Sequence, residues 1–174
     1  INSLKAELNT SFQIDFDKTY KIKNNDFKNN GKIFKAELNV PNGLKEKFYN
    51  KKIANVSITD SAIKSGFTNK QKNINISGKY SLNTNDFFKF NTISELNNES
   101  INLKLNFDYD EDINIELFNY KKPKGNLAEF KIDLSKIKNS LIINKINYKE
   151  NENVISFKGI EIKNGNFLKL DQVS

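Results

Sequence analysis

One acidic segment of the sequence has a spacing that could bind a cation. Asp108, Asp110 and Asp112 place carboxylates at alternate positions, as calcium-binding loops do. An EF-hand loop also needs glycine after its third acid and glutamate at its last position, and Ile113 and Asn119 stand there instead. The segment is therefore interpreted as a solvated turn, and no metal ion is expected.

The residue types that most catalytic sites require are missing. The 174 residues include no histidine and no cysteine, and no glycine-rich phosphate loop is present. Two carboxylates facing one cleft would suffice for glycoside hydrolysis, but no spacing selects such a pair among the acids. We therefore expect a protein that is not an enzyme and that uses no cofactor.

The positive charge of the chain does not indicate a nucleic-acid partner. The formal net charge is +7, and all 28 basic residues are lysine. Proteins that read phosphates and bases usually use arginine for bidentate contacts, and these lysines are dispersed along the sequence rather than clustered. No nucleic acid is expected as a partner, and the excess of lysine, asparagine, isoleucine and phenylalanine fits an AT-rich genome.

Alternation of apolar and polar residues is the main structural signal. In Ile101 to Asn119, apolar residues occur at every second position on both sides of the acidic segment, which predicts a hairpin of two strands with one apolar face. Similar stretches, separated by turn signals, recur at roughly 10–14-residue spacing, which gives about a dozen strands. The sequence thus predicts an all-β, antiparallel fold with little helix.

Several segments interrupt this rhythm. Asn24 to Gly31 is polar and predicts a turn-rich connection, and Pro41-Asn42-Gly43 predicts a turn that ends the next strand. Residues 44–51 are interpreted as either a single helical turn or a loop. Gly78, in the middle of a strand, predicts a bulge or a bend, and a change of phase within Leu141 to Tyr148 predicts another bulge.

A sheet with one apolar face must cover that face or present it to a partner. It can pack as a sandwich, close into a barrel or remain open, and the monotonous pattern favours a long curved sheet that forms an open U-shaped groove. The residues expected to line the groove are the apolar residues in phase: Leu8, Phe12, Ile14, Phe16, Phe34, Leu38, Val56, Ile58, Ile74, Ile76, Tyr80, Leu82, Ile101, Leu103, Leu105, Phe107, Ile113, Ile115, Leu117, Phe130, Ile132, Leu134, Ile155 and Phe157.

Three stretches of the sequence resemble the AsmA-like family, in particular its large YhdP- and TamB-type members. They are Ile76 to Phe90 (ISGKYSLNTNDFFKF), Ile146 to Ser174 (INYKENENVISFKGIEIKNGNFLKLDQVS) and Leu4 to Asn24 (LKAELNTSFQIDFDKTYKIKN). The resemblance covers most of the chain, except the break at Leu44 to Lys51. It rests on the rhythm of the strands and not on an invariant motif.

This resemblance implies a role in lipid transport. Members of the family are built of repeating β-groove units, are anchored in the inner membrane, cross the periplasm and are implicated in moving phospholipids to the outer membrane. Residues 1–174 would then be a single segment of such a protein. The implied partners are phospholipid acyl chains in the groove, flanking β-groove segments of the same chain, and both membranes through the parent protein. The resemblance supplies no catalytic residues.

A structural or adhesive cell-surface protein is the main alternative. In a segment of a β-sandwich or β-solenoid, the same apolar residues would form a dry core. Burial distinguishes the two hypotheses, because protein covers the apolar face on all sides in a dry core, whereas a lipid-transfer segment leaves that face open.

Overall fold

The computed structural model describes residues 1–44, 53–82, 86–115 and 119–174. These residues form strands and no helix, which confirms the predicted all-β class. The strands are β1 (Ser3–Phe16), β2 (Ile22–Leu44), β3 (Ile53–Thr68), β4 (Lys72–Leu82), β5 (Phe88–Leu96), β6 (Ser100–Tyr109), β7 (Ile113–Ile115), β8 (Tyr120–Lys122), β9 (Ala128–Ile137), β10 (Ser140–Glu150), β11 (Asn153–Lys163), β12 (Asn166–Lys169) and β13 (Gln172–Val173).

One antiparallel sheet contains all of these strands except β7 and β8. Its order is β1-β2-β3-β4-β5-β6-β9-β10-β11-β12, with β13 paired to β11, and the sheet is not closed into a barrel. Neighbours in the chain are neighbours in the sheet, except that β12 and β13 both pair with β11 and that β6 pairs with β9. Between β6 and β9 the chain leaves the sheet and forms a separate two-stranded sheet from β7 and β8.

The hairpin predicted within Ile101 to Asn119 is therefore wrong. β6 pairs along its whole length with β9, where Leu105 lies opposite Ile132, and β7 pairs with β8, where Ile113 lies opposite Lys122. Alternation of side chains correctly indicated two strands. It could not predict with which strands they pair, because the backbone hydrogen bonds that join strands are the same for every sequence.

The register of the main sheet places most of its apolar residues on one side, which we call the apolar face. The other side is the polar face. Residues directly opposite each other on paired strands share a face. Phe107 lies opposite Phe90 on one side and Phe130 on the other, and Phe130 in turn lies opposite Tyr148. The intervening positions carry mostly lysine, asparagine, serine and acidic residues, which form the polar face.

The segment Asn24 to Gly31 forms part of β2 and is not the predicted connection. β2 runs for 23 residues between β1 and β3, which hydrogen-bond to it from both sides. On the apolar face, Asn29 accepts a hydrogen bond from Thr10 (2.7 Å) and donates one to Ser65 (3.1 Å). Polar residues are tolerated inside this strand because such cross-strand bonds satisfy them.

The predicted turn at Pro41-Asn42-Gly43 is also absent, since β2 continues to Leu44. The three residues fall within a shift of register, because Asn39 lies opposite Asn55 whereas Leu44 lies opposite Ile53. A shift of this kind accommodates proline, which has no N–H to donate to a neighbouring strand. Beyond Leu44, the helical turn or loop predicted for residues 44–51 lies outside the described residues.

Two bulges keep the apolar residues in phase. In β3, Asp60 and Ser61 together lie opposite Gly78 of β4, since pairing passes from Thr59↔Lys79 to Ala62↔Ser77. The bulge predicted at Gly78 is therefore present, but the extra residue lies in β3 and not in β4, the strand that contains Gly78. In β10 the predicted bulge is confirmed, because the register against β9 shifts between Ile143 and Lys145.

Gly78 is required by the bulge that faces it. A Cβ atom added there would lie 2.6 Å from Ser61 Cα, and Ser61 is 98% buried, with a relative exposure of 2%. We expect Gly78→Ala to lower the free energy of unfolding by roughly 1–3 kcal/mol, as overpacking does, in urea titrations followed by circular dichroism. Gly66→Ala is the matched control, because its nearest neighbour would be Phe27 O at 4.0 Å. Equal stability of the two variants would contradict this account.

Candidate functional site

The apolar face is a continuous surface of one chemical kind that extends across the main sheet. Its rows run across the strands: one joins Ile76, Thr92, Leu105, Ile132 and Ile146 in register, and others flank it on both sides. Most of its side chains are half-buried, as expected where neighbours on the same face cover only their flanks. The face is therefore apolar and continuous across the sheet.

The face is most exposed at the β1 end. The relative exposure of Leu4 is 57%, that of Leu8 is 49% and that of Phe12 is 68%. The Phe12 ring stacks on Phe27, with ring centroids 6.0 Å apart. Large apolar side chains on this part of the sheet thus touch one another but have no covering layer among the described residues.

Register places most of the predicted lining residues together on this face. They are Leu8, Phe12, Ile14, Phe16, Leu38, Val56, Ile58, Ile74, Ile76, Tyr80, Leu82, Ile101, Leu103, Leu105, Phe107, Phe130, Ile132, Leu134, Ile155 and Phe157. The exceptions are Phe34, the two residues of β7, and Leu117, which lies outside the described residues.

Phe34 lies away from the face for which it was predicted. It is the unpaired residue where pairing between β1 and β2 passes from Lys5↔Lys35 to Ala6↔Ile33. Its ring centroid is 5.9 Å from Lys5 Nζ, and Lys5 belongs to the polar face because it alternates with Leu4 and Ala6. Strict alternation fails here because the extra residue of a bulge turns the following side chains over.

Sequence reasoning missed several residues that share the apolar face. Phe27 and Phe67 lie opposite each other on β2 and β3, and Phe90 lies opposite Phe107. Phe27 was missed because its segment was interpreted as a turn. Phe90 lay in a recognised strand, and its alternation with Phe88 was a usable signal.

Aromatic residues form a row near the end of the face. The Tyr80 ring lies 6.1 Å from the rings of both Phe90 and Phe107, and its hydroxyl donates a 2.6 Å hydrogen bond to the carbonyl of Asp108. Strands two apart are separated by about 9.6 Å, so these contacts across β5 require the side chains of β4 and β6 to converge over the apolar face.

The insertion between β6 and β9 covers one end of this face; we call β7 and β8 the cap. Ile113, from the cap, joins Ala128, Tyr148 and Ile155 in a cluster of buried residues. Half-buried side chains from the cap and the main sheet pack around this cluster: Tyr109, Ile115, Tyr120, Phe130 and Phe157. The predicted lining residues Ile113 and Ile115 thus lie on the cap and cover the sheet, instead of belonging to it.

Lys122 anchors the cap through a buried ammonium group. Its relative exposure is 1%, and Nζ donates to the carbonyl oxygens of Asp110 (2.8 Å), Glu111 (2.8 Å) and Pro123 (3.2 Å). These three acceptors match its three N–H donors. Burial lowers the pKa of Lys122, although the neighbouring acidic groups oppose this shift.

The acidic segment is therefore not an ordinary solvated turn. The backbone oxygens of Asp110 and Glu111 surround the ammonium of Lys122, and the Glu111 carboxylate pairs with Lys124 at 2.9 Å. Among the described residues, no group of three or more acids is placed to hold a metal ion. The positive charge at this segment is supplied by lysine side chains.

A second polar contact ties the cap to β10. The Tyr120 hydroxyl donates to the Glu150 carboxylate and lies 2.8 Å from the Tyr148 hydroxyl, while Asn126 Nδ2 donates to Glu150 at 2.8 Å. The hydrogen bond from Tyr120, and then that from Asn126, lowers the pKa of Glu150. Burial raises the pKa values of both tyrosines.

These titratable groups hold the cap in place. Glu150, Tyr120, Tyr148 and Lys122 direct their polar atoms at one another or at backbone carbonyls, so these polar groups are satisfied within this part of the structure. In the described ranges, no helix has the length and apolarity needed to cross a membrane.

Protonation of Glu150 should loosen the cap. Because its pKa is lowered in the folded state, the carboxylate stabilises the fold above roughly pH 4.3, and that stabilisation is lost as the pH falls through the lowered pKa. We expect the free energy of unfolding, measured by urea titration from about pH 7 to about pH 3, to fall less steeply in Glu150→Gln than in the unmodified chain.

Glu95→Gln is the control for this measurement, because Glu95 is exposed on the polar face. It should retain the steep acid dependence of the unmodified chain. The same slope in the Glu150 variant as in the unmodified chain would show that the contact with Tyr120 does not stabilise the fold.

Comparison with known proteins gives no further assignment. No protein-family model matches the sequence, and neither the curated proteins nor the solved structures include a significant match.

Proposed function

We propose that this chain is a segment of a lipid-transfer bridge that spans the periplasm and moves phospholipids between the inner and outer membranes. In this role the apolar face holds acyl chains, and the polar face remains in water. The observation that carries the proposal is the single open sheet: most of its apolar side chains share one side, and among the described residues the cap alone covers that side.

The free energy available on this face suits a hydrocarbon ligand. Each buried CH₂ group contributes about 0.8 kcal/mol, and large exposed side chains such as Leu4, Leu8 and Phe12 gain further when they are covered. An acyl chain spans about half of a ~30 Å hydrocarbon core. Chains of that length laid along the strands would fit within β6, whose ten residues extend for about 34 Å, and several could lie side by side across the ~4.8 Å strand spacing.

Transport along such a face would be passive. No nucleotide-binding motif occurs in the sequence, and no bound group would be needed for lipids to move over a continuous apolar surface. β1 pairs with β2 alone, so its outer edge could pair with a flanking segment of the same chain by strand addition. The proposal places the parent protein in the periplasm with an anchor in the inner membrane, as the resemblance to the AsmA-like family implies.

Burial favours this proposal over the structural or adhesive alternative. A sandwich would cover the apolar face with a second sheet. Among the described residues, the only cover is the two-stranded cap over Ala128, Phe130, Tyr148 and Ile155, while Leu8 and Phe12 remain exposed. An open face of this extent is typical of a binding surface.

Photo-crosslinking tests where lipid binds. A benzoylphenylalanine residue at position 105 replaces Leu105 on the apolar face, and the matched control replaces Asn106, the next residue, on the polar face. We expect lipid adducts, detected by mass spectrometry after irradiation of the parent protein in cell envelopes, at position 105 and not at position 106.

A third position, Phe12, extends the test to the exposed end of the face, with Gln13 as its control. Adducts confined to the polar face, or adducts at neither face, would contradict the proposal. Protein-to-protein crosslinks at positions 12 and 105 would instead support the structural alternative.

A further inference from the structure

Lysines gather along one edge of the apolar face. This edge, which we call the lysine edge, consists of the turns 17–21, 69–71, 97–99, 138–139 and 164–165 with two strand residues on either side of each. It carries eight lysines and four acids. The lysines are Lys18, Lys21, Lys23, Lys70, Lys72, Lys136, Lys138 and Lys163. The dispersion of lysine along the sequence concealed this edge, because antiparallel strands bring every second turn to the same side.

The opposite edge of the apolar face, where the structure describes it, carries an excess of acidic residues. The corresponding segments around β4–β5, the cap and β10–β11 contain more acids than lysines: the acids are Asp86, Asp108, Asp110, Glu111, Asp112, Glu129, Glu150 and Glu152. Between β4 and β11, the described part of the sheet therefore has an excess of lysines at one end of its strands and an excess of acids at the other end.

Two lysines of the lysine edge belong to the apolar face itself. Lys72 lies between Phe67 and Leu96 in register, and Lys136 lies between Ile101 and Leu141. Both are exposed, and among the described residues no carboxylate forms an ion pair with either. The two intervening strands, β5 and β6, separate them by three strand spacings, or about 14 Å.

Between these lysines, β5 and β6 form a lane of defined length, which is apolar along β6 and includes Ser94 and Thr92 on β5. From Ile101 at the lysine edge to Phe107 in the aromatic row, six residues of β6 extend for about 20 Å, which accommodates one acyl chain of about 15 Å. Tyr80, whose hydroxyl bonds across to Asp108, closes the far end of this lane.

We propose that this lane binds one anionic glycerophospholipid in a fixed orientation. Its phosphate lies at the lysine edge between Lys72 and Lys136, its acyl chains lie along β5 and β6, and its terminal methyl groups reach the aromatic row. This inference rests on the proposed function and adds the class of lipid and the edge at which headgroups emerge. An uncharged lipid, which has no phosphate, would bind the same lane without the contribution of the two lysines.

Charge complementarity supports this orientation. A phosphate at the lysine edge meets unpaired ammonium groups, whereas a phosphate at the opposite edge would meet the acidic segment and Glu150. The long apolar stems of Lys72 and Lys136 can lie on the face while their ammonium groups reach toward water. The same lysines that interrupt the apolar row therefore suit the boundary between hydrocarbon and headgroup.

Equilibrium binding to the 174-residue chain tests the proposal with two probes that have identical pyrene-labelled acyl chains. The first is phosphatidylglycerol, and the second is the uncharged diacylglycerol; both are delivered from cyclodextrin. The variant is Lys72→Gln combined with Lys136→Gln. The control, Lys64→Gln combined with Lys104→Gln, removes the same charge from the polar face.

We expect the Lys72 and Lys136 variant to bind phosphatidylglycerol roughly five- to tenfold more weakly, as loss of two exposed ion pairs allows. Its affinity for diacylglycerol should be unchanged, and the control should bind both probes as the unmodified chain does. A circular dichroism spectrum that matches that of the unmodified chain would show that each variant is folded.

Equal losses of phosphatidylglycerol affinity in the variant and the control, or no loss in either, would overturn the fixed orientation. Retained binding of diacylglycerol in that case would leave the proposed lipid-binding function intact. Failure of the unmodified chain to bind either probe would overturn the proposed function and, with it, this inference.

Discussion

A single sheet has one apolar face only if the side chains of every strand stay in phase with those of its neighbours. A slip of one residue turns a whole strand over, because its side chains alternate with a period of two. In this protein the phase is corrected inside the strands. Asp60 and Ser61 together lie opposite the single residue Gly78. Ile58 and Ile63, five residues apart, therefore both lie on the apolar face.

The same correction recurs at the other side of the sheet. The shift between Ile143 and Lys145 in β10 allows both Ile143 and Ile146 to lie opposite apolar residues of β9. Gly159 of β11, with φ of 66°, stands beside this shift in a conformation that glycine adopts without strain. These bulges therefore convert an imperfect sequence pattern into one continuous apolar surface.

In the described part of the chain, buried apolar residues form a cluster where the chain leaves the sheet. Around the cap, Tyr148 and Lys122 are almost fully buried, and the polar atoms of this region bond to one another. Burying an ammonium group is unfavourable unless its donors are satisfied, so the carbonyls around Lys122 are as necessary as the apolar contacts of Ile113. Elsewhere the single layer leaves side chains half-exposed, which agrees with a hydrophobic content of only 37%.

Function in such a molecule depends on the two ends of its strands as well as on its faces. One edge of the described sheet carries lysines beside apolar residues, and the other carries the acidic segment and the cap. A hydrocarbon ligand with one charged end would experience this asymmetry directly. The apolar contacts of the face are distributed over many side chains, so we expect binding of the hydrocarbon part of a ligand to depend on the surface as a whole.

The sequence by itself determined the all-β class, most of the strands and most residues of the apolar face, because alternation is a local property of the extended backbone. It could not determine that β6 pairs with β9, since strand pairing joins residues far apart in the chain. It also misplaced Asn24 to Gly31, which pairs with β1 and β3 on its two sides and whose Asn29 side chain hydrogen-bonds to both strands. Only the tertiary structure decided that the acidic segment surrounds Lys122 and that Lys72 and Lys136 share one edge, because both depend on which strands become neighbours.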